Sequence, residues 1–182
     1  VDSSFANSAA ILTGGACGGQ ITRPGIALYG GEAVNGIANP MKPVVTAETR
    51  IIQIRYAKAG ETISYGATQI LSRDTVIAVC GTGYADGIHR ASGQGVPLRR
   101  TSVPAASGWL SGHLVPVLGR VTMDFTMFDV TEVPQQVLDK AEWIEHFGGH
   151  ISVDDAARAA GTIGYELLTS LGSRFHRRIA TP

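Results

Sequence analysis

The sequence predicts a mainly β domain that is preceded by the last βα units of a larger βα barrel. After residue 44, short runs of alternating or continuous apolar residues are typical of strands. Before residue 40, two short apolar units each adjoin glycine-rich or polar residues, as at the ligand-binding end of a βα barrel. Two prolines within residues 38–43 exclude continuous regular structure there. We therefore assign residues 1–40 to the barrel tail and 41–182 to the β domain.

In the first part, residues 5–12 form an apolar unit that runs into the glycine-rich stretch 14–19. Residues 21–30 are predicted to be a strand that leads into a glycine-punctuated loop or helix start. Two such units cannot close a barrel, so we expect this part to be the tail of something larger. The chain also opens on Val1 instead of methionine, and we expect its natural start to lie upstream.

The second part is predicted to contain several strands. Apolar residues take the odd positions in 45–51 and the even positions in 52–56, which predicts a β-bulge or strong twist near Ile51 and Ile52. The apolar run 76–80 predicts a buried strand. The further strand candidates are residues 114–118, 121–123, 126–130 and 141–147.

Helix signals come late in the chain. Ser152 is a predicted cap for a helix through Ala160, with two aspartates in the first turn. Thr162 is a predicted cap for a second helix over residues 164–170.

Composition limits the possible partners and compartment. With 15 basic and 15 acidic residues among 182, the chain offers no electrostatic basis for binding nucleic acid or an anionic membrane. No apolar run reaches spanning length. The only cysteines, Cys17 and Cys80, do not make a disulfide framework, and the apolar setting of Cys80 suits a reduced protein. We expect a cytoplasmic location.

Tyr84 lies in the sequence GTGYADG, residues 81–87, directly after the predicted buried strand. Glycines on both sides allow a sharp exit from the strand. The result is a tyrosine hydroxyl on a tight turn at a strand end, where reactive groups are often mounted. Taken alone, the heptapeptide favours a surface turn with a packing tyrosine.

Six motifs together favour a functional role for Tyr84 instead. Their order and spacing resemble those of alanine racemase, the bacterial enzyme that uses pyridoxal 5′-phosphate. They are ANS at 6–8, RPGIALYG at 23–30, SYGAT at 64–68, GYADG at 83–87, GRVTMD at 119–124 and IGYELL at 163–168. The resemblance covers the family's C-terminal half. It implies a cofactor-carrying βα barrel followed by a β domain, in a head-to-tail homodimer whose β domains complete each other's sites.

The resemblance also implies roles for single residues. The phosphate is expected to be held by the side chains of Ser8 and Tyr165 and the backbone amides of Gly25 and Ile26, with Asn7 also among the cofactor-binding residues. Arg23 is expected to donate to the pyridine nitrogen. Tyr84 is the expected catalytic base, and Met123 is expected to contribute to the partner's substrate carboxylate site.

The chemistry of racemisation accounts for these residue types. A proton leaves one face of Cα and returns to the other, so two bases must flank the substrate. In the family these are a tyrosine and the Schiff-base lysine. The three lysines here, Lys42, Lys58 and Lys140, lie in linker or turn contexts. We therefore expect the Schiff-base lysine and the carboxylate-binding arginine to lie upstream, and this chain alone to be inactive.

Several alternatives stay open. Many relatives carry cysteine where this chain has Thr122, and glutamine where it has Phe125, although neither change removes a mechanistic group. The residues also fit a racemase for serine or lysine. An amino-acid decarboxylase of the same architecture is disfavoured because Cys80 is followed by Gly-Thr-Gly.

A β-rich binding module is the non-enzymatic alternative, but it leaves the co-occurrence of Tyr84 and Arg23 unexplained. A metal site at His146 and His150 has little support, since a glycine pair separates them and no cluster of cysteines or acidic ligands accompanies them.

Overall fold

The β domain is built on one six-stranded sheet. The computed structural model describes residues 2–14, 19–67, 69–93 and 106–180. The strands within these ranges are β1 Ser4–Asn7, β2 Ile21–Arg23, β3 Ala47–Ala57, β4 Thr62–Ile63, β5 Gln69–Ile70, β6 Thr75–Cys80, β7 Ser107–Leu110, β8 His113–Pro116, β9 Thr126–Asp129 and β10 Trp143–Phe147. Within the six-stranded sheet the order is β8-β7-β10-β3-β6-β9, with every pairing antiparallel. A bridge between Val117 and Phe128 brings the two edges together and nearly closes the sheet into a barrel.

The long central strand β3 carries the predicted irregularity. Its register against β6 shifts between Ile51 and Gln53, which confirms the bulge inferred from the change of apolar face. On one side of the bulge β3 pairs with β10, and along its second half it pairs with β6. A single strand thereby serves both halves of the sheet.

The sheet encloses the main core. Phe128, Leu110 and Ile144 are fully buried there, together with Cys80 at the end of β6. Burial raises the pKa of the Cys80 thiol to about 12, so this cysteine is a packing residue and not a nucleophile. Cys17 lies outside the described residues.

The N-terminal segment has its own small sheet. β1 and β2 run parallel, as expected for successive βα units, and α1 (Ser8–Leu12) follows β1 while a 3₁₀ helix (Ile26–Tyr29) follows β2. Residues 31–46 contain no helix or strand, which confirms the absence of continuous regular structure predicted from the two prolines within 38–43. The division into domains at residue 40 stays a prediction.

Short α-helices in the described part of the β domain are α2 Gln135–Leu138, α3 Val153–Ala160 and α4 Gly164–Ser170. Ser152 caps α3 as predicted, because its hydroxyl accepts the Asp155 N–H at 3.0 Å. The predicted cap of α4 is wrong. Ile163 occupies that position, and the Thr162 hydroxyl donates to the Glu166 carboxylate instead.

The predicted strand at residues 121–123 is also wrong. The carbonyls of Thr122 and Met123 accept hydrogen bonds from the turn that follows β6, so they do not join a strand ladder. Across the described residues, no helix has the length and apolarity needed to cross a membrane.

Candidate functional site

Tyr84 stands on one turn of 3₁₀ helix, Tyr84–Asp86, that follows the buried strand β6. Gly87 ends the turn in the left-handed region at φ 101°, a conformation that glycine adopts at little cost. The Tyr84 side chain is 46% exposed, so its phenol faces outward from a fixed backbone. We call residues 83–87 the Tyr84 turn.

A second loop, residues 121–125, holds this turn in place, and we call it the Met123 loop. The Tyr84 N–H donates to the Thr122 carbonyl at 2.9 Å, and the Ala85 N–H donates to the Met123 carbonyl at 3.0 Å. A Cβ added to Gly83 would lie 2.2 Å from the Thr122 oxygen, so only glycine permits this approach. The structure therefore brings Tyr84 and Met123 together.

Thr122 has a structural role in this loop. Its hydroxyl accepts the Phe125 N–H at 3.0 Å, and its own N–H donates to the Phe125 carbonyl at 2.9 Å. These bonds close the loop beneath Met123, whose side chain is 53% exposed.

Arg174 joins the two loops and was missed by sequence reasoning. Its Nε and Nη2 donate to the two carboxylate oxygens of Asp86 at 2.7 and 2.9 Å, and its Nη1 donates to Asp124 at 2.8 Å. The Asp86 side chain is 5% exposed, and it also accepts the Gly83 N–H at 2.9 Å. No local motif could reveal this residue, because 88 positions separate Arg174 from Asp86.

Beneath the turn lies a buried polar layer. The Thr82 hydroxyl donates to Thr49 at 2.9 Å and lies 3.0 Å from Nε2 of His146, while its carbonyl accepts the Thr126 hydroxyl at 2.8 Å. Burial lowers the pKa of His146 to about 4, so its imidazole is neutral at pH 7. This layer fixes the end of β6 from which the Tyr84 turn departs.

A separate group of predicted residues lies in the N-terminal segment. The buried Ser8 hydroxyl accepts the Gly25 N–H at 2.8 Å and the Ala27 N–H at 3.4 Å. The Asn7 side chain caps α1 by accepting the Ala10 N–H. The space in which a Cβ of Gly25 would lie is open, with no atom within 4 Å apart from Gly25 and its two chain neighbours.

Arg23 and Tyr165 border this group. Arg23 is exposed and pairs with Asn7 in the parallel register of β1 and β2. Tyr165 follows Gly164 at the start of α4, and a Cβ added to Gly164 would lie 3.6 Å from Cδ1 of Ile26. Ser8, Asn7, Gly25, Ile26 and Arg23 are thus brought together, with the start of α4 beside them.

The two histidines considered as metal ligands have different environments. His146 is buried against Thr82, whereas the His150 ring binds the Glu145 carboxylate at 2.8 Å and stacks on Trp109. Burial raises the pKa of Glu145, but the hydrogen bonds from His150 and two backbone amides outweigh it and lower the pKa overall. Where the structure describes the chain, no three His, Cys, Asp or Glu residues converge as metal ligands would.

Comparison with known proteins gives one consistent result. The profile of the family described as "Alanine racemase, C-terminal domain" matches residues 44–179. The biosynthetic alanine racemase of Agrobacterium fabrum is 54% identical over 179 residues, which are 98% of this chain and 46% of that protein. The chain therefore spans about half the length of the curated relatives it matches.

Solved structures agree in fold. The biosynthetic alanine racemase from Pseudomonas aeruginosa has a TM-score of 0.82 and 34% identity, covering 99% of this chain and 48% of that one. An alanine racemase from Bartonella henselae with covalently bound pyridoxal phosphate has a TM-score of 0.81 and 31% identity, covering 97% and 46%. The chain belongs to the alanine racemase family and contains that family's C-terminal β domain.

Proposed function

We propose that this chain forms the C-terminal part of a pyridoxal 5′-phosphate-dependent racemase that interconverts L- and D-alanine by two-base proton transfer at Cα. One observation carries the proposal: the Tyr84 turn is bonded directly to the Thr122 and Met123 carbonyls. That contact holds an exposed phenol at a fixed position beside Met123. Residues 1–40 are assigned to the cofactor-binding barrel and residues 41–182 to the β domain.

The residues of the N-terminal segment fit a bound phosphate. Two backbone N–H groups converge on the Ser8 hydroxyl, and the space in front of Gly25 is open. Backbone amides and hydroxyls suit an anion because they are fixed donors. Ser8, Gly25, Ile26 and Tyr165 would hold the phosphate, and Asn7 would also belong to the cofactor site.

Arg23 would donate to the pyridine nitrogen. A guanidinium stays charged at working pH and gives up no proton, so the nitrogen beside it stays unprotonated. Bound pyridoxal 5′-phosphate would supply an electron sink for the Cα of the amino acid. Arg23 thereby moderates that sink and disfavours side reactions.

Tyr84 and Met123 would act on the substrate. The Tyr84 phenolic oxygen takes or returns the Cα proton on one face, and Met123 helps to bind the substrate carboxylate. Both side chains are about half exposed and lie on elements other than the Ser8 and Arg23 group. That arrangement suits a homodimer in which they complete the partner's site.

The base for the opposite face would come from outside these 182 residues. Lys42, Lys58 and Lys140 are all exposed, and Lys58 is paired with Asp74. The chain alone should accordingly be inactive, and borohydride should trap no stable pyridoxal phosphate adduct on it.

The test is a racemisation assay on the complete protein with alanine, serine and lysine as separate substrates. We expect interconversion of the alanine enantiomers with the highest kcat/KM. A higher kcat/KM for serine or lysine would replace alanine as the assigned substrate. Release of carbon dioxide would support a decarboxylase. No turnover of any amino acid would leave only a binding role.

A further inference from the structure

The Arg174 guanidinium lies where the Tyr84 turn and the Met123 loop meet. All three of its nitrogens donate hydrogen bonds: Nε and Nη2 to Asp86 in the turn, and Nη1 to Asp124 in the loop. Asp86 is almost completely buried, and its other donor is the Gly83 N–H at the start of the same turn. A buried carboxylate keeps its place only while its charge is balanced, so the turn's geometry depends on Arg174.

We propose that Arg174 is a positioning residue that fixes the Tyr84 turn relative to the Met123 loop. This inference rests on the proposed function, in which Tyr84 moves the proton and Met123 borders the substrate carboxylate. The guanidinium of Arg174 hydrogen-bonds to Asp86 and Asp124. Arg174 acts through the carboxylates of Asp86 and Asp124. It thereby aligns the Tyr84 phenol, which acts on the substrate Cα, with the Met123 loop, which borders the carboxylate of the same substrate.

The fork shape of the guanidinium matters here. A planar guanidinium meets both oxygens of one carboxylate while a remaining N–H reaches a second carboxylate. A lysine ammonium is a point charge on a flexible stem and cannot reproduce that arrangement. Positioning therefore requires arginine, whereas simple charge balance would accept lysine.

The segment around Arg174 has anchors that do not involve its guanidinium. The Gly172 N–H donates to the Asp86 carbonyl at 2.9 Å, and Phe175 packs against the main core. Substitution of Arg174 should thus disturb the two loops without detaching the segment.

The experiment compares Arg174→Gln, Arg174→Lys and Asp124→Asn in the complete protein. Arg73→Gln is the matched control: its side chain is 50% exposed against 52% for Arg174, and it also pairs with two carboxylates, Asp129 and Glu132. A displacement of about 1 Å in a reacting group can lower the rate by about 10²-fold. We expect Arg174→Gln to lower kcat by up to about that factor and to raise KM for alanine, with Arg174→Lys recovering little.

Asp124→Asn cuts only the arm to the Met123 loop, so it should raise KM more than it lowers kcat. Arg73→Gln should leave both constants unchanged. Wild-type kcat and KM in Arg174→Lys would show that Arg174 supplies only a positive charge. A lower melting temperature with unchanged kcat and KM in Arg174→Gln would make it purely structural, and either result overturns the proposal.

Amide hydrogen exchange of the folded complete protein tests the same coupling without turnover. Exchange should accelerate in residues 83–87 and 121–125 in Arg174→Gln, but only in 121–125 in Asp124→Asn. Unchanged exchange in Arg174→Gln would overturn the positioning role even in an active enzyme. If the wild-type protein does not racemise but exchange is still faster in Arg174→Gln, the positioning role stands and only the proposed racemase function fails.

Discussion

The Asp154 carboxylate accepts a hydrogen bond from the Glu32 backbone N–H at 2.8 Å across 122 residues of sequence. Asp154 is buried at the start of α3, and Arg158 from the same helix binds the Glu32 side chain at 3.0 Å. Gly31 fits beside Val153, where a Cβ would approach the Val153 side chain to 3.4 Å. This contact docks the segment that carries Ser8 and Arg23 onto the β domain.

Asp154→Ala tests the strength of that docking. The substitution leaves the partly buried Glu32 N–H without its acceptor, and the loss of a donor's partner costs up to about 1–3 kcal/mol of unfolding free energy. Urea denaturation of the complete protein measures the loss. Asp139→Ala, at an exposed aspartate after α2, is the control and should change stability by less than about 0.5 kcal/mol. Equal effects of the two substitutions would contradict the docking role.

His146 predicts how stability depends on pH. Its pKa is lowered by burial to about 4 in the folded chain from 6.5, so between these values the unfolded chain binds the proton and the folded chain does not. Unfolding free energy should therefore fall as pH drops from 6.5 toward 4, by up to about 3 kcal/mol from this group.

His146→Gln should flatten that pH dependence, because glutamine can still bond to Thr82 but does not titrate. Denaturation midpoints at a series of pH values give the slope. The exposed His176→Gln is the matched control and should keep the wild-type slope. A His146→Gln profile as steep as wild type would exclude His146 as its source.

Gly83 and Gly81 form a matched pair on either side of Thr82. A Cβ at Gly83 would lie 2.2 Å from the Thr122 oxygen, whereas a Cβ at Gly81 would meet only Ile52 at an ordinary 3.6 Å. Gly83→Ala should separate the Tyr84 turn from the Met123 loop and lower kcat/KM by about 10²-fold, as a displaced base would. Gly81→Ala should retain kcat/KM. Similar activity in the two variants would show that the close approach is dispensable.

Ser8→Ala removes the hydroxyl on which the Gly25 and Ala27 amides converge. A hydrogen bond to a charged group contributes about 1.5–3 kcal/mol, so we expect the dissociation constant of pyridoxal phosphate to rise by about 10–100-fold. Titration of the apoprotein, followed by cofactor absorbance, measures it. The exposed Ser72→Ala should bind like wild type, and a Ser8→Ala variant that does the same would remove Ser8 from the phosphate site.

The sequence predicts most of the strands because the spacing of apolar residues along a strand indicates which of its positions are buried. The runs at 76–80 and 126–130 correspond to β6 and β9, and the change of face at Ile51 corresponds to the bulge in β3. Residues 121–123 have a strand-like pattern as well. Their carbonyls bind the Tyr84 turn instead, a tertiary contact that periodicity does not record.

The candidate site likewise contains residues that the sequence predicts and one that it does not. Residues within motifs were located from the sequence, and the structure brings Ser8 to Gly25 and Tyr84 to Met123. Arg174 carries no local signal, because it matters only through Asp86 and Asp124, at distances of 88 and 50 residues along the chain. Long-range ion pairs of this kind have to be read from three-dimensional contacts.

Tyr84→Phe in the complete protein tests the proposed two-base mechanism most directly. Removal of the phenolic hydroxyl should disable proton transfer on one face of Cα only and lower racemisation by about 10²–10⁴-fold. Tyr56→Phe, at an exposed tyrosine of β3 that bonds to Gln135, is the control and should racemise normally.

The decisive measurement is exchange of the Cα proton in deuterium oxide, followed separately for L- and D-alanine. Tyr84→Phe should continue to exchange the enantiomer whose proton faces the opposite base, and exchange of the other enantiomer should nearly vanish. Equal loss of exchange for both enantiomers would contradict a one-face role for Tyr84 and make it a structural residue of the turn.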